Sequence, residues 1–393
     1  MKKTRKILAM VLVLAFAAGI MIGCDSASGG TSAKSDAEKP ILIGCYFPLS
    51  GGNAAIGESL KVGVQMAVDE INAAGGVEGR QINVLFEDDE SDATTGVAVV
   101  NKYINQDNVD MIIGTVMTTV MMACLEVSED AGVVMVTPCA SGTSVTNSGY
   151  KYVARVQASD EQQARACVEY VIDAGYQKIG LMHSNDDAGT QARDVILSVA
   201  AEHGVELAAV EAFDYASSDY KPQLQNIKAA GCDALITWCT YQAGATIANQ
   251  KAEVGMKEIP QFGGGGLTNV KLFELAGENA VGITNSQTFL AGADAVNDFS
   301  QKFIDNFTAQ HGKAPDSNNA MAYDTVYVCV EGLKHSLEKD GNLNGDAIIE
   351  GIKGIQGMDL VTGKISFDER GDSIREKILM CELQPDGTYQ LAN

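Results

Sequence analysis

The sequence predicts an α/β fold built as two Rossmann-like lobes, each a parallel sheet covered by helices. Three observations lead there. The chain has 393 residues, more than the ~250–300 that one hydrophobic core usually organises, so at least two lobes are required. Short apolar runs alternate with stretches of helical period along nearly its whole length, the pattern of parallel sheets with helices on both faces. Glycine is frequent, at 41, and proline scarce, at 7, which suits tight strand–helix turns and uninterrupted helices. Hydrophobic residues at 46% and charged residues at 20% are close to the globular norm, so the bulk of the chain folds.

The N-terminus reads as an address. Lys2, Lys3, Arg5 and Lys6 precede an uncharged apolar stretch over 7–22, which ends at Gly23-Cys24. That plan is a secretory signal. A small residue directly before Cys24 resembles a bacterial lipobox, which implies cleavage after residue 23 and a lipid on Cys24; the alternative is an unlipidated signal with a chance cysteine. Residues 24–40 are small and polar, a flexible linker.

From residue 41 the elements follow in order. The apolar run 41–47, closed by Pro48, is a strand. Residues 54–73 carry Ile56, Leu60, Val64, Ala67, Val68 and Ile71 at helical spacing and stop at Gly75-Gly76, a helix with a glycine terminator. Strands follow at 81–87, 110–114 and 133–137, with helices from Asp92 and over 118–131. The alternation resumes with strands at 152–156, 179–183, 206–213, 234–239 and around 259–262. The helices between them lie at 160–174, 192–203, 220–230 and 243–253. The C-terminal third is mostly helical (294–310, 317–337, 346–353), with strands at 364–367 and 377–383.

In such sheets a ligand sits where the strands end. Two loops stand out. Gly114-Thr115-Val116-Met117-Thr118 opens a helix, and Thr137-Pro138-Cys139-Ala140-Ser141-Gly142 follows the fourth strand. A helix N-terminus with a hydroxyl offers free N–H donors and the positive end of a dipole, suited to a carboxylate; alternatively Thr118 and Ser141 only cap helices.

Other chemistries find little support. A net charge of −23, from 28 Lys+Arg against 51 Asp+Glu, repels nucleic acid and anionic lipid surfaces. The four His are scattered, and nine Cys form no CxxC or Cys/His ligand spacing, so no metal or cofactor is expected. Cys residues inside apolar runs, such as Cys239 and Cys329, read as buried free thiols. There is no GxSxG elbow and no phosphate-binding GxxxxGK[ST]. His183 beside Ser184 and the Asp186-Asp187 pair reads as a strand-end structural group. Residues 340–345 start like a calcium loop, but Gly351 stands where the twelfth-position acid is needed, so a capped helix start is the better reading. The chain is expected not to be an enzyme.

Several segments together carry a family resemblance: Pro48-Leu49-Ser50-Gly51; Asp69-Glu70-Ile71-Asn72-Ala73-Ala74-Gly75-Gly76-Val77-Glu78-Gly79; Glu87-Asp88-Asp89; Ile113-Gly114; Thr137-Pro138; Gly263 to Gly266; and Phe367-Asp368-Glu369-Arg370-Gly371-Asp372. Over 41–390 the chain resembles the leucine/isoleucine/valine-binding family of ABC-transporter solute-binding proteins, of type I periplasmic-binding fold. The resemblance implies three passages between lobes. These place 41–157 with 289–361 in lobe 1 and 158–288 with 362–393 in lobe 2, joined by a three-strand hinge. It implies a ligand carboxylate held by the Thr118 and Ser141 hydroxyls and by backbone groups of Cys139 and Ala140. The acid that meets a ligand ammonium in the family falls at Gly265, beside Gly266. A covering tyrosine falls at Ala188 and a bulky aromatic at Ile56. With those groups gone, Asp187 and Asp324 are the acids expected to replace the lost partner, and Tyr241 and Tyr323 the expected aromatic walls. The implied protein is a monomer anchored outside the cell through Cys24, which closes on an amino acid and delivers it to an ABC permease. A non-amino-acid small polar or carboxylate ligand, or a module sensing for a signalling receptor, are the alternatives.

Overall fold

A computed structural model describes residues 39–214, 217–292 and 297–392. The leader, Cys24 and the linker as far as residue 38 lie outside the described residues.

Lobe 1 begins with β1 (Ile41–Phe47), α1 (Ala54–Ala73), β2 (Ile82–Asp88), α2 (Ala93–Lys102), β3 (Met111–Gly114), α3 (Thr118–Ala131), β4 (Met135–Thr137), the single turn α4 (Ser144–Asn147) and β5 (Val153–Arg155). These strands form one parallel sheet in the order β2-β1-β3-β4-β5. Helices cover both faces, so β1 and β3 are apolar almost throughout and nearly wholly buried rather than alternating. Along α1, Leu60, Val64, Ala67 and Ile71 recur at helical spacing and face the core. Each large aliphatic side chain buried this way contributes roughly 1.5–3 kcal/mol.

Lobe 2 follows with α5 (Asp160–Asp173), β6 (Ile179–Ser184), α6 (Asp187–Glu202), β7 (Ala209–Phe213), α7 (Lys221–Ala229), β8 (Ala234–Trp238), α8 (Tyr241–Glu253), β9 (Gln261–Gly263), α9 (Val270–Ala276) and β10 (Thr284–Gln287). The chain then returns to lobe 1 as α10 (Asp298–His311), α11 (Ser317–Asp340) and α12 (Gly345–Lys353). Helix α11 packs along α1 and is started by a capping box in which the Asp316 and Asn319 side chains and backbones bond reciprocally.

The third passage differs from expectation. After α12 come β11 (Met358–Leu360), β12 (Gly363–Phe367) and β13 (Ser373–Arg375), a separate antiparallel sheet. Only then does the chain enter the lobe 2 sheet, as β14 (Leu379–Leu383) and β15 (Tyr389–Leu391), antiparallel to its neighbours in the order β15-β14-β10-β9-β8-β6-β7. The boundary expected between 361 and 362 therefore falls inside the small sheet, between β11 and β12. That sheet stays beside lobe 1 because Asp372 bridges to Arg155 of β5. The Arg155 guanidinium, fully buried, grips both Asp372 carboxylate oxygens at 3.0 and 2.6 Å.

Asp324 belongs to this strap. Fully buried in α11, it accepts the Val361 and Thr362 N–H groups, each at 2.9 Å, and the Thr362 hydroxyl at 2.6 Å. Burial pushes its carboxyl up to about 6 against the pull of those donors and of Arg375. The expectation that Asp324 faces a ligand is corrected: both of its oxygens are spent on the chain passage.

Candidate functional site

Between the lobes lies a cavity of ≈ 70 Å³, several times the ~10–15 Å³ that admits one water. Its lobe 1 wall is Ile56, Val116, Met117, Thr118, Cys139, Ser141 and Asn318. Its lobe 2 wall is Asp160, Gln163, Ser184, Asp186, Ala188, Gly189, Trp238, Cys239, Thr240 and Gly264 to Gly266, with Gln157 at the crossing.

On the lobe 1 side, Thr118 is the first residue of α3, and Met117 before it supplies no side-chain cap. The first-turn N–H groups of a helix have no partner within it and attract an anion. The Thr118 hydroxyl accepts the Gly142 N–H at 3.0 Å. Gly142 must be glycine for this approach, since a Cβ there would sit 2.5 Å from the Thr118 methyl. Arg155 fixes the same loop, donating to the Ser141 and Gly142 carbonyls at 2.8 and 2.5 Å. The Thr137 hydroxyl accepts the N–H groups of Cys139 and Ala140 at 3.2 and 2.9 Å. Those two donors are thus committed to the loop itself, and Ala140 is fully buried behind the wall that Cys139 and Ser141 form. Burial pushes the Cys139 thiol up to about 12, which makes it an inert neutral wall.

On the lobe 2 side, the position of the family's ammonium partner is a glycine packed closely on a side-chain amide. The Gly265 N–H donates to Gln163 Oε1 at 2.8 Å, and a Cβ at 265 would lie 2.7 Å from that oxygen. Gln163 is also held by the Ser286 hydroxyl at 3.0 Å and the Ala158 carbonyl at 2.7 Å. A side chain at 265 would have to displace the Gln163 amide from these bonds. Gly266 lines the cavity with backbone only.

The acids on this wall are others. Asp186 caps α6, taking the Ser184 hydroxyl at 2.7 Å and the Gly189 N–H at 2.8 Å on one oxygen. Asp187, one residue on, is exposed and turned out of the cleft, because adjacent helical residues lie on different faces. Ala188 lines the cavity. Asp160, the first residue of α5, is 1% exposed. One of its oxygens accepts the Trp238 indole N–H at 3.2 Å. Burial pushes its carboxyl up to about 6, opposed by the nearby Ser141 hydroxyl, Arg155 and Trp238. Sequence reasoning missed Asp160, Asp186, Gln163 and Trp238. The available signal was position: Asp160 opens the first helix after the crossing Arg155-Val156-Gln157.

The two aromatics expected as walls do other work. Tyr241 donates from α8 to the Gly52 carbonyl of lobe 1 at 2.6 Å. Tyr323 lies in the lobe 1 core, its ring tilted 53° against Phe303 with centroids 4.7 Å apart, and donates to Glu70 at 2.6 Å. His183 is buried on β6, its Nδ1 2.8 Å from the Ser184 carbonyl oxygen. Further bonds cross between the lobes. Gln191 of α6 takes the Thr143 hydroxyl at 2.8 Å and the Ser144 N–H at 2.9 Å and donates to the Ser144 hydroxyl at 3.0 Å. Asn318 donates to the Thr268 carbonyl at 3.2 Å. Both rims of the cleft are therefore tied.

A cleft of this kind, where the strand ends of two doubly wound lobes face each other, is a place for a small solute. A sequence profile of the periplasmic binding protein family matches residues 40–388, and the chain belongs to that family, a solute-binding class rather than an enzyme class. It is 26% identical over 363 residues to the leucine-, isoleucine-, valine-, threonine- and alanine-binding protein of Pseudomonas aeruginosa, covering 92% of this chain and 95% of that one. It is 27% identical over 341 residues to Leu/Ile/Val-binding protein homolog 3 of Brucella melitensis, covering 84% and 88%. Among solved structures it resembles the branched-chain amino acid transporter substrate-binding protein of Streptococcus pneumoniae in complex with isoleucine, at 27% identity and TM-score 0.81, covering 90% and 99%. No helix among the described residues is long and apolar enough to cross a membrane.

Proposed function

We propose that this protein is the extracytoplasmic binding component of an ABC importer, tethered through an acylated Cys24, and that it takes an α-amino acid with an apolar side chain into the inter-lobe cleft. The observation that carries this reading is the pairing, on the lobe 1 wall of one small cavity, of an uncapped helix N-terminus bearing Thr118 with apolar surface from Ile56, Val116 and Met117. The first suits a carboxylate and the second an aliphatic chain. The names of the relatives support the ligand class.

A ligand touching both walls binds the closed arrangement better than an open one and shifts the population toward closure. The rim bonds of Gln191, Tyr241 and Asn318 form only when the lobes meet, so closure adds them to ligand contacts. The closed monomer is the form a permease would recognise. A second reading, a small carboxylate lacking an ammonium, is favoured by the glycine at 265.

A thermal-shift screen against the twenty amino acids and their des-amino acids tests both. A ligand at 100 times its dissociation constant adds about 2.7 kcal/mol. Stabilisation by aliphatic amino acids is expected; a response to des-amino acids alone supports the second reading, and no response to either class removes the proposal. Mass spectrometry of the membrane-extracted protein checks the anchor, with a free or uncleaved N-terminus counting against it.

A further inference from the structure

Asp160 is the buried titratable group that the carboxylate cradle leaves unexplained. It lines the cavity at 1% exposure. One carboxyl oxygen has the Trp238 indole N–H at 3.2 Å, while Oδ2 is buried with no hydrogen-bond partner. Buried carboxylate oxygens are almost always satisfied, because an orphaned one retains its full desolvation cost. The protein's own cation in the vicinity, Arg155, is already engaged with Asp372, Thr146 and the Ser141 and Gly142 carbonyls. The other charged or titratable groups facing Asp160 are Asp186 and Cys139, and neither can donate a positive charge. Asp160 also adjoins the anion-binding wall: its N–H donates to the Ser141 carbonyl at 2.8 Å, and the Ser141 hydroxyl lies close enough to act on its carboxyl as a hydrogen-bond donor that lowers it. An α-amino acid carries its ammonium and carboxylate on the same carbon, so a carboxylate seated at Thr118 and Ser141 brings its ammonium to this oxygen.

We propose that Asp160 is the ammonium-binding carboxylate of the cleft, receiving on Oδ2 the α-ammonium of an amino acid whose carboxylate rests on Thr118 and Ser141. The assignment rests on the amino-acid reading above. It supplies the acid missing at 265 from the start of α5, one turn before Gln163. Because burial holds the ligand-free carboxyl near 6, amino-acid binding weakens as the pH falls through that value.

The test is calorimetry on the full-length mature protein with L-leucine and L-alanine, each beside its des-amino acid, 4-methylpentanoate and propionate. Asp160→Asn is expected to weaken the amino acids at least about thirtyfold, while the des-amino acids bind within about threefold of the wild type. In the wild type the amino-acid dissociation constant should rise about fourfold from pH 7 to pH 5.5, a trend absent from the des-amino acids. Amino-acid binding unchanged in the variant, an equal loss of both probe classes in a folded variant, or a flat wild-type pH profile overturns the assignment. Should Asp160→Asn not fold, the wild-type pH profile alone decides. Failure of the wild type to bind either amino acid overturns the amino-acid reading and this assignment with it, and is distinguishable because it needs no variant.

Discussion

Asp324, on the long helix of lobe 1, and Asp160, at the entrance to lobe 2, are both buried and both pushed up to about 6. Their surroundings differ in one respect. Around Asp324 the chain passage supplies three donors, so the carboxylate ties the small sheet to α11. Around Asp160 one oxygen is left over, on a residue that lines the cavity. The same residue type at the same burial is a structural pin in one region and a reserved valence in the other. Burial alone does not separate the two acids; the degree of satisfaction does.

Four experiments would break or sharpen that contrast. The largest effect is expected from Asp324→Ala. It strands the Val361 and Thr362 donors and leaves the half-buried Arg375 without its neighbouring charge, so chemical denaturation should show a loss of about 3–5 kcal/mol. A loss under 1 kcal/mol would mean the strap is not pinned there.

Asp160→Asn should act in the opposite direction on the ligand-free protein. A carboxyl whose folded value is raised contributes stability that is complete below the ordinary carboxylate range and lost as the pH rises through about 6. The asparagine removes that loss, so the variant should be more stable at pH 7.5 by up to about 3 kcal/mol, with a flatter stability–pH curve. A variant less stable than wild type at pH 7.5 would show that the carboxylate is satisfied after all.

Next, Ser141→Ala and Thr118→Ala should each weaken a carboxylate ligand about tenfold, by loss of a hydroxyl worth ~1.5 kcal/mol. They should separate in the ligand-free state. Thr118 also accepts the Gly142 N–H, so only its alanine variant should lower the melting temperature, by an amount matching about 1 kcal/mol. Equal melting temperatures would detach Thr118 from the loop.

The smallest effect belongs to Gln191→Ala, which removes the rim bonds to Thr143 and Ser144. Affinity should fall about three- to fivefold, with a larger radius of gyration for the unliganded protein in X-ray scattering. An unchanged scattering curve and unchanged affinity would show that the rim bonds do not bias closure.

Much of the architecture was legible. The helical spacing from Ile56 to Ile71 and the apolar runs at 41–47 and 234–239 give the observed elements almost to the residue, because elements packed on both sides must repeat their local period. What escaped was polar. Strand β10 reads Thr-Asn-Ser-Gln, yet it lies buried in the lobe 2 sheet, with Asn285 donating to the Thr268 hydroxyl at 2.6 Å and Ser286 to Gln163 at 3.0 Å. Its burial depends on partners far along the chain, which no local pattern displays.

The sequence by itself determined the order of strands and helices, hence two doubly wound lobes, and it marked the loops before Thr118 and Ser141, which line the cleft, because strand ends and helix starts are local features. Tertiary structure alone decided which acid meets the cleft. Asp187 turns outward by a single helical step, Asp324 is consumed by a passage that arrives after β11, and Asp160 is brought beside Ser141 from the other lobe. Satisfaction of a buried charge depends on what the fold brings within about 3 Å of it, and that is a non-local quantity.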